Sequence, residues 1–292
     1  MNATNMLVLA GVGLSACASS QMQMSQDIEI RTMQTRSGTI TYREKGQGTP
    51  VIMIHATGHD HHDFDAIFPT IAETYRAIAL DLPGHGESFM PSPPESATVL
   101  VMANALEEFV EGISKEPVIL IGNSVGGFSA IRLALSKPGR VKALVLVNSG
   151  GFHDLTLGTR MFTRLKGTEV FTSLVWNKFP ENYIKARNSH SQEILERIQR
   201  SKTVEHVAVG AAVWRSFLLP EHDLRESAKN LNTPTMLIWG ELDPVIPGEL
   251  GLQAAKIIPG AKIKLMKTGH TPFAEAPEEF LKHLLPFLER PH

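Results

Sequence analysis

The chain has 292 residues, 42% of them hydrophobic and 20% charged, and a formal net charge of −2 at pH 7. This is globular composition with enough chain for one large core, or a core plus an appendage, and the near-neutral balance gives no bulk electrostatic basis for binding nucleic acid. Cys17 is the only cysteine, which excludes an intrachain disulfide and a cysteine-built metal site.

Residues 6–14, MLVLAGVGL, form an apolar run with the length of a secretory h-region and too short to span a bilayer as a mature helix. LSAC (14–17) and the polar ASSQMQMSQ follow. The arrangement resembles the lipobox of bacterial lipoprotein signals, in which cleavage precedes a cysteine that then carries lipid. The resemblance implies export, with Cys17 as a lipid anchor to a membrane. No Lys or Arg precedes the run, however, and a start at Met22, Met24 or Met33 would instead give a cytoplasmic protein. In either case residues 1–26 are a signal-like segment and polar linker outside the fold.

From Ile28 onward, β-rich runs alternate with helical patterns. The runs are IEIRTM (28–33), TITYRE (39–44), PVIMIH (50–55), YRAIALD (75–81), PVILIG (117–122), VKALVLVN (141–148), PTMLIWG (234–240) and AKIKLM (261–266). The later ones are almost continuously apolar, as strands covered on both faces read. Helical spacing occupies 96–112, 128–137, 248–257 and 275–289. Strand and helix in alternation predict an α/β fold, with a mostly parallel central sheet and helices on both faces. The first two runs read as an antiparallel hairpin at one edge. The rhythm fails between Gly151 and Asn232, where amphipathic pieces appear without a strand. The predicted organisation is therefore a core of 27–150 and 233–292 interrupted by a helical lid, 151–232.

Gly122-Asn123-Ser124-Val125-Gly126 fits G-x-S-x-G at the junction of a buried strand and a helix. The pattern alone is weak; its position between strand and helix gives it force. Glycines two residues either side remove side chains that would collide in so sharp a turn, and Ser124 is held above the carboxyl edge of the sheet. A serine hydroxyl needs a base to act as a nucleophile near neutral pH. His270, in KTGHTPFAEAP, follows the last strand run, and Asp243, in WGELDPVIP, follows the one before. Both therefore fall at the same carboxyl edge. The order Ser124, Asp243, His270 is that of an α/β-hydrolase triad. IHATGHD (54–60) and DLPGHGES (81–88) follow two further strands.

On these residues the chain resembles the α/β-hydrolase-fold serine hydrolases of the lid-bearing group, across about Thr39 to Leu288. That group includes esterases and the carbon–carbon hydrolases of aromatic catabolism. The resemblance implies an oxyanion hole from the backbone N–H groups of Thr57 and Val125. It implies a structural turn at Asp81, His85 and Ser88. The group usually has His-Gly where this chain has His55-Ala56, so a positive φ at that position would strain Ala56 or reshape the loop. The strand at 141–148 ends in Asn148, which cannot serve as the acid found there in some members, and this favours Asp243.

HATGHDHHDFD (55–65) invites a metal reading, but a polar loop entering a helix accounts for it, and no metal site is assigned. His59 is a candidate substrate contact. Phe162, Phe171, Trp176, Phe179, Trp214 and Phe217 either line an apolar pocket or form the core of the lid. The expected chemistry is acyl transfer to water from a small or medium apolar carboxylic ester, with no metal or organic cofactor. The alternatives are cleavage of a carbon–carbon bond in a ketone, which Thr271 after His270 disfavours, and a non-enzymatic small-molecule binder. Oligomeric state is not legible in these residues.

Overall fold

The computed structural model describes residues 28–291; the signal-like run and Cys17 lie outside the described residues. Eight strands form one sheet among the described residues: β1 (Glu29–Gln34), β2 (Thr39–Lys45), β3 (Pro50–Ile54), β4 (Arg76–Leu80), β5 (Val118–Asn123), β6 (Val141–Val147), β7 (Thr235–Gly240) and β8 (Lys262–Met266). Their spatial order is β1-β2-β4-β3-β5-β6-β7-β8. β2 runs antiparallel to both neighbours, and all pairings from β4 to β8 are parallel. This is the mostly parallel α/β sheet expected from the alternation, with the hairpin at the predicted edge, and the α/β-hydrolase fold that the resemblance implies.

The side chains of the central strands explain why they lie inside. β3, β5 and β7 are buried along their whole length. Ile52 and Ile54 join one apolar cluster, and Val51 and Met53 join the other across the sheet, as period-two alternation between two covered faces requires. β8 differs. Lys262 and Lys264 are exposed, which suits an edge strand that must not recruit a further strand.

Helix α1 (Phe68–Ala72) and the C-terminal α10 (Pro272–Glu275) and α11 (Pro277–Glu289) cover one face. α2 (Val99–Ile113), α3 (Val125–Ser136) and α9 (Gly248–Ile257) cover the other. α1 is too short, at five residues, to show a helical period in sequence. α2 starts three residues later than the apolar spacing predicts, because Thr98 caps it by accepting from the Val101 N–H.

Between β6 and β7 the chain forms α4 (Leu157–Lys166), α5 (Glu169–Val175), α6 (Lys178–Tyr183), α7 (Ser189–Arg200) and α8 (Val204–Ser216). Side chains of Thr156, Thr168, Asn188 and Thr203 cap four of them. Ile194, Leu195 and Ile198 of α7 pack into one core cluster, and Val209, Ala212 and Val213 of α8 into the other. The segment thus straddles the carboxyl end of the sheet.

Candidate active site

Ser124 links β5 to α3 with φ 54° and ψ −113°. Among the described residues only it and Asn148 combine a side chain with positive φ. Such geometry costs on the order of 1–3 kcal/mol. The flanking glycines are sterically required: a Cβ at Gly122 would lie 2.5 Å from the Gly126 carbonyl oxygen, and one at Gly126 would overlap that of Ile54. Three backbone bonds lock the turn. Ser124 N–H donates to Val147 O at 3.1 Å, and Ser124 O accepts from Phe128 and Gly150 N–H at 3.0 Å each. α3 therefore begins at Val125 rather than Phe128. Gly126 and Gly127 read as loop by propensity, but the close backbone contacts override this.

Asp243 follows β7 and His270 follows β8, both buried. His270 Nδ1 donates to Asp243 Oδ2 at 2.6 Å, which leaves Nε2 as the basic nitrogen. Asp243 Oδ1 accepts from Val245 N–H at 2.8 Å. Asn148 donates from Nδ2 to Asp243 Oδ2 at 2.6 Å and accepts at Oδ1 from Gly240 N–H at 3.1 Å. Asn148, which stands where the resemblance offers another acid position, thus orients the Asp243 carboxylate. Asn123 Nδ2 ties the loops of two strands by donating to Val147 O and His270 O, both at 3.0 Å.

The His270 loop is also anchored from the inserted helices. His270 N–H donates to Tyr183 O at 2.8 Å. Glu275, buried in α10, accepts from the N–H groups of Lys185, Ala186, Gly269 and Thr271 at 2.7–3.0 Å. Nothing in the sequence distinguished Glu275 from the surface carboxylates of α11. Its position between His270 and the helix start was the only available signal.

Val125 holds the first position of α3, where backbone N–H groups have no intrahelical acceptor. Thr57 is fixed through its side chain: His85 Nδ1 donates to Pro83 O at 2.9 Å, so Nε2 accepts from Thr57 Oγ1 at 3.3 Å. His55 Nδ1 donates to Ala56 O at 2.7 Å, and its Nε2 accepts from Leu82 N–H at 2.9 Å. Ala56 is not at positive φ; in this loop Gly58 takes that role, at φ 83°. Asp81 accepts from the N–H groups of His61 (2.7 Å) and Glu87 (2.9 Å), and Ser88 Oγ donates to Asp81 O at 2.7 Å.

The histidine-rich stretch resolves into imidazole–carboxylate couples: His59 with Asp63, His61 with Asp81 and His62 with Asp65. His59 Nδ1 donates to Asp63 at 2.8 Å, and its Nε2 accepts from the Tyr183 hydroxyl at 2.8 Å. Burial, with Asp63 and Asp243 nearby, holds that hydroxyl protonated well above its usual range. The Tyr183 ring meets His270 edge-on, with centroids 5.2 Å apart.

Ser124, His270, Thr57 and His59 line one cavity of about 890 Å³. The inserted helices roof it with Phe162, Trp176, Phe179 and Trp214, and Phe217 follows α8 at its margin; Phe171 is not on its wall. Trp176 Nε1 donates to Ile198 O at 2.7 Å, which leaves the indole fixed as an apolar surface.

A family model described as "Alpha/beta hydrolase family" matches residues 51–283. Lipase 1 of Psychrobacter immobilis is 27% identical over 267 residues, covering 87% of this chain and 82% of that protein. The pimeloyl-[acyl-carrier protein] methyl ester esterase of Aeromonas hydrophila is 27% identical over 255 residues, covering 84% and 97%. Among solved structures, a thermophilic esterase from Thermogutta terrifontis superposes with a TM-score of 0.76 at 22% identity, covering 90% of this chain and 99% of that one.

Proposed function

Because the chain belongs to the alpha/beta hydrolase family, we propose that it is a serine hydrolase cleaving a carboxylic ester through an acyl-enzyme on Ser124. One observation carries this reading: the 2.6 Å bond from His270 Nδ1 to Asp243 Oδ2, in a pair beside the strained Ser124 turn whose imidazole lines the same cavity as Ser124. His270 Nε2 takes the Ser124 proton as Oγ attacks the ester carbonyl. Asp243 holds the productive tautomer and offsets the imidazolium charge. The N–H groups of Thr57 and Val125 receive the oxyanion, each such donor being worth about 2.7–4 kcal/mol. His270 then protonates the leaving alcohol, and water repeats the sequence on the acyl-enzyme.

Helices α4–α8 act as a lid that shields the cavity and supplies its aromatic wall. That wall suits a small or medium acyl chain, buried against Trp176, Phe179 and Trp214. Treatment with a fluorophosphonate probe tests the reading directly. The protein should label covalently and Ser124→Ala should not; equal labelling of both would end the proposal.

A further inference from the structure

Lys166 is the last residue of α4, is 4% exposed, and forms part of the cavity wall with Ser124 and His270. Its Nζ lies 4.4 Å from the centroid of Phe179 and 5.8 Å from that of Trp214. Among the described residues no carboxylate pairs with it. Of the acids on the same wall, Asp154 pairs with Arg225 and Glu249 is exposed. The ammonium is therefore held by the negative faces of two rings, and its three N–H donors have no anionic acceptor. Burial alone lowers its pKa to about 8, which still leaves it mostly protonated at neutral pH. An isolated buried cation is unfavourable unless something neutralises it, and in a substrate cavity the substrate can do so.

We propose that Lys166 binds a carboxylate on the substrate, so that the ester this enzyme prefers carries a negative charge remote from the bond it cleaves. The inference rests on the ester-hydrolase reading and narrows it from apolar esters to apolar chains ending in an acid. Phe179 and Trp214 line the path of the chain, and Lys166 receives its far end. A lysine is a point charge on a flexible stem, so the site selects charge more than shape. The carboxylate can belong to the acyl part or to the leaving group.

Two matched pairs of substrates distinguish these sources. The acyl arm compares mono-p-nitrophenyl esters of straight-chain diacids, from four to ten carbons, with p-nitrophenyl alkanoates of equal length. The leaving-group arm compares alkanoate esters of 4-hydroxybenzoate with those of phenol. In at least one arm the anionic member should have a kcat/KM at least tenfold higher, carried mainly by KM. In Lys166→Met the ratio should fall to about one, and Lys166→Arg should keep part of it. Binding of a diacid monomethyl ester to Ser124→Ala, followed by calorimetry, reads the site without turnover and should be lost when Lys166→Met is added. No anionic preference in either arm, or a preference that survives Lys166→Met, overturns the proposal. Anion binding that depends on Lys166 in a protein that cleaves no ester would retain the site and remove the hydrolase reading.

Discussion

Asn148 Nδ2 donates to Asp243 Oδ2 at 2.6 Å, the same oxygen that accepts from His270 Nδ1 at 2.6 Å. One carboxylate oxygen thus serves both the imidazole and a fixed amide, and the amide is itself held by Gly240 N–H. Asn148 sits at φ 40°, a region that Asn tolerates better than most residues. Removing a hydrogen bond to a charged group costs about 1.5–3 kcal/mol. Asn148→Ala should therefore lower kcat by roughly 10- to 100-fold. Asn148→Asp should be worse, because it sets a second carboxylate against the first. Steady-state kinetics on any cleaved ester checks both; an Asn148→Asp enzyme as fast as wild type would exclude this role.

Ser124 and His270 should act as a unit. Ser124→Ala is expected to reduce kcat by about 10⁶, and the double variant with His270→Ala to be scarcely slower, as in other triads. Single-turnover measurements of the two single variants and the double suffice. Losses that multiply would mean that the two groups serve separate steps.

Glu275 gathers four backbone N–H groups around one buried carboxylate. Glu275→Ala leaves those donors without an acceptor, at about 1–3 kcal/mol for each that water does not reach. The variant should lose on the order of 3 kcal/mol or more in urea unfolding. It should also lose kcat disproportionately to KM, since the displaced loop carries His270. Glu275→Gln should recover part of both.

Acid should destabilise the fold well before the carboxylates titrate. Burial, reinforced by a neighbouring imidazole, lowers His85 and His222 from the usual 6.5 to about 3 each. The unfolded chain takes up these two protons near pH 6.5, and the folded chain resists them until about pH 3. Stability is thus fully present above 6.5 and declines as pH falls through that window, by on the order of 5 kcal/mol per histidine at its end. Urea midpoints between pH 7.5 and 4.5 should fall steadily. His222→Phe should flatten the slope, because the ring stacks on Phe128 with centroids 4.9 Å apart and phenylalanine can keep that contact.

Lys166 gives the same linkage at the alkaline end. Folded, it releases its proton near pH 8; unfolded, near 10.5. Between these values the unfolded chain holds more protons, so stability rises with pH, and at neutral pH the buried ammonium costs on the order of 3 kcal/mol. Lys166→Met should unfold at higher urea than wild type at pH 7, and the gap should narrow toward pH 10. A destabilised Lys166→Met would show that the ammonium has a compensating partner in the fold.

The loops of the candidate site were legible in sequence because each follows a strand. Apolar runs marked β5 and β7 and an alternating run marked β8, and Ser124, Asp243 and His270, which follow them, were expected at one edge. The supporting contacts were not legible, because they depend on distances between segments far apart in the chain. Asn148 and Asp243 are 95 residues apart, and Glu275 reaches back to Lys185 across 90. Lys166 reads in sequence as an ordinary basic residue at a helix end; only the packing of α4 against Phe179 and Trp214 brings it into the cavity. His59 was legible as a polar residue near the site, but its bond to the Tyr183 hydroxyl required the inserted helices to be in place.

The carbonyl of Tyr183 and the amides of Lys185 and Ala186 are fastened to the loop bearing His270. A swing of the whole insertion would break those bonds and shift His270. Under the proposed function, α6 and the start of α7 are thus the part of the insertion whose place the imidazole depends on.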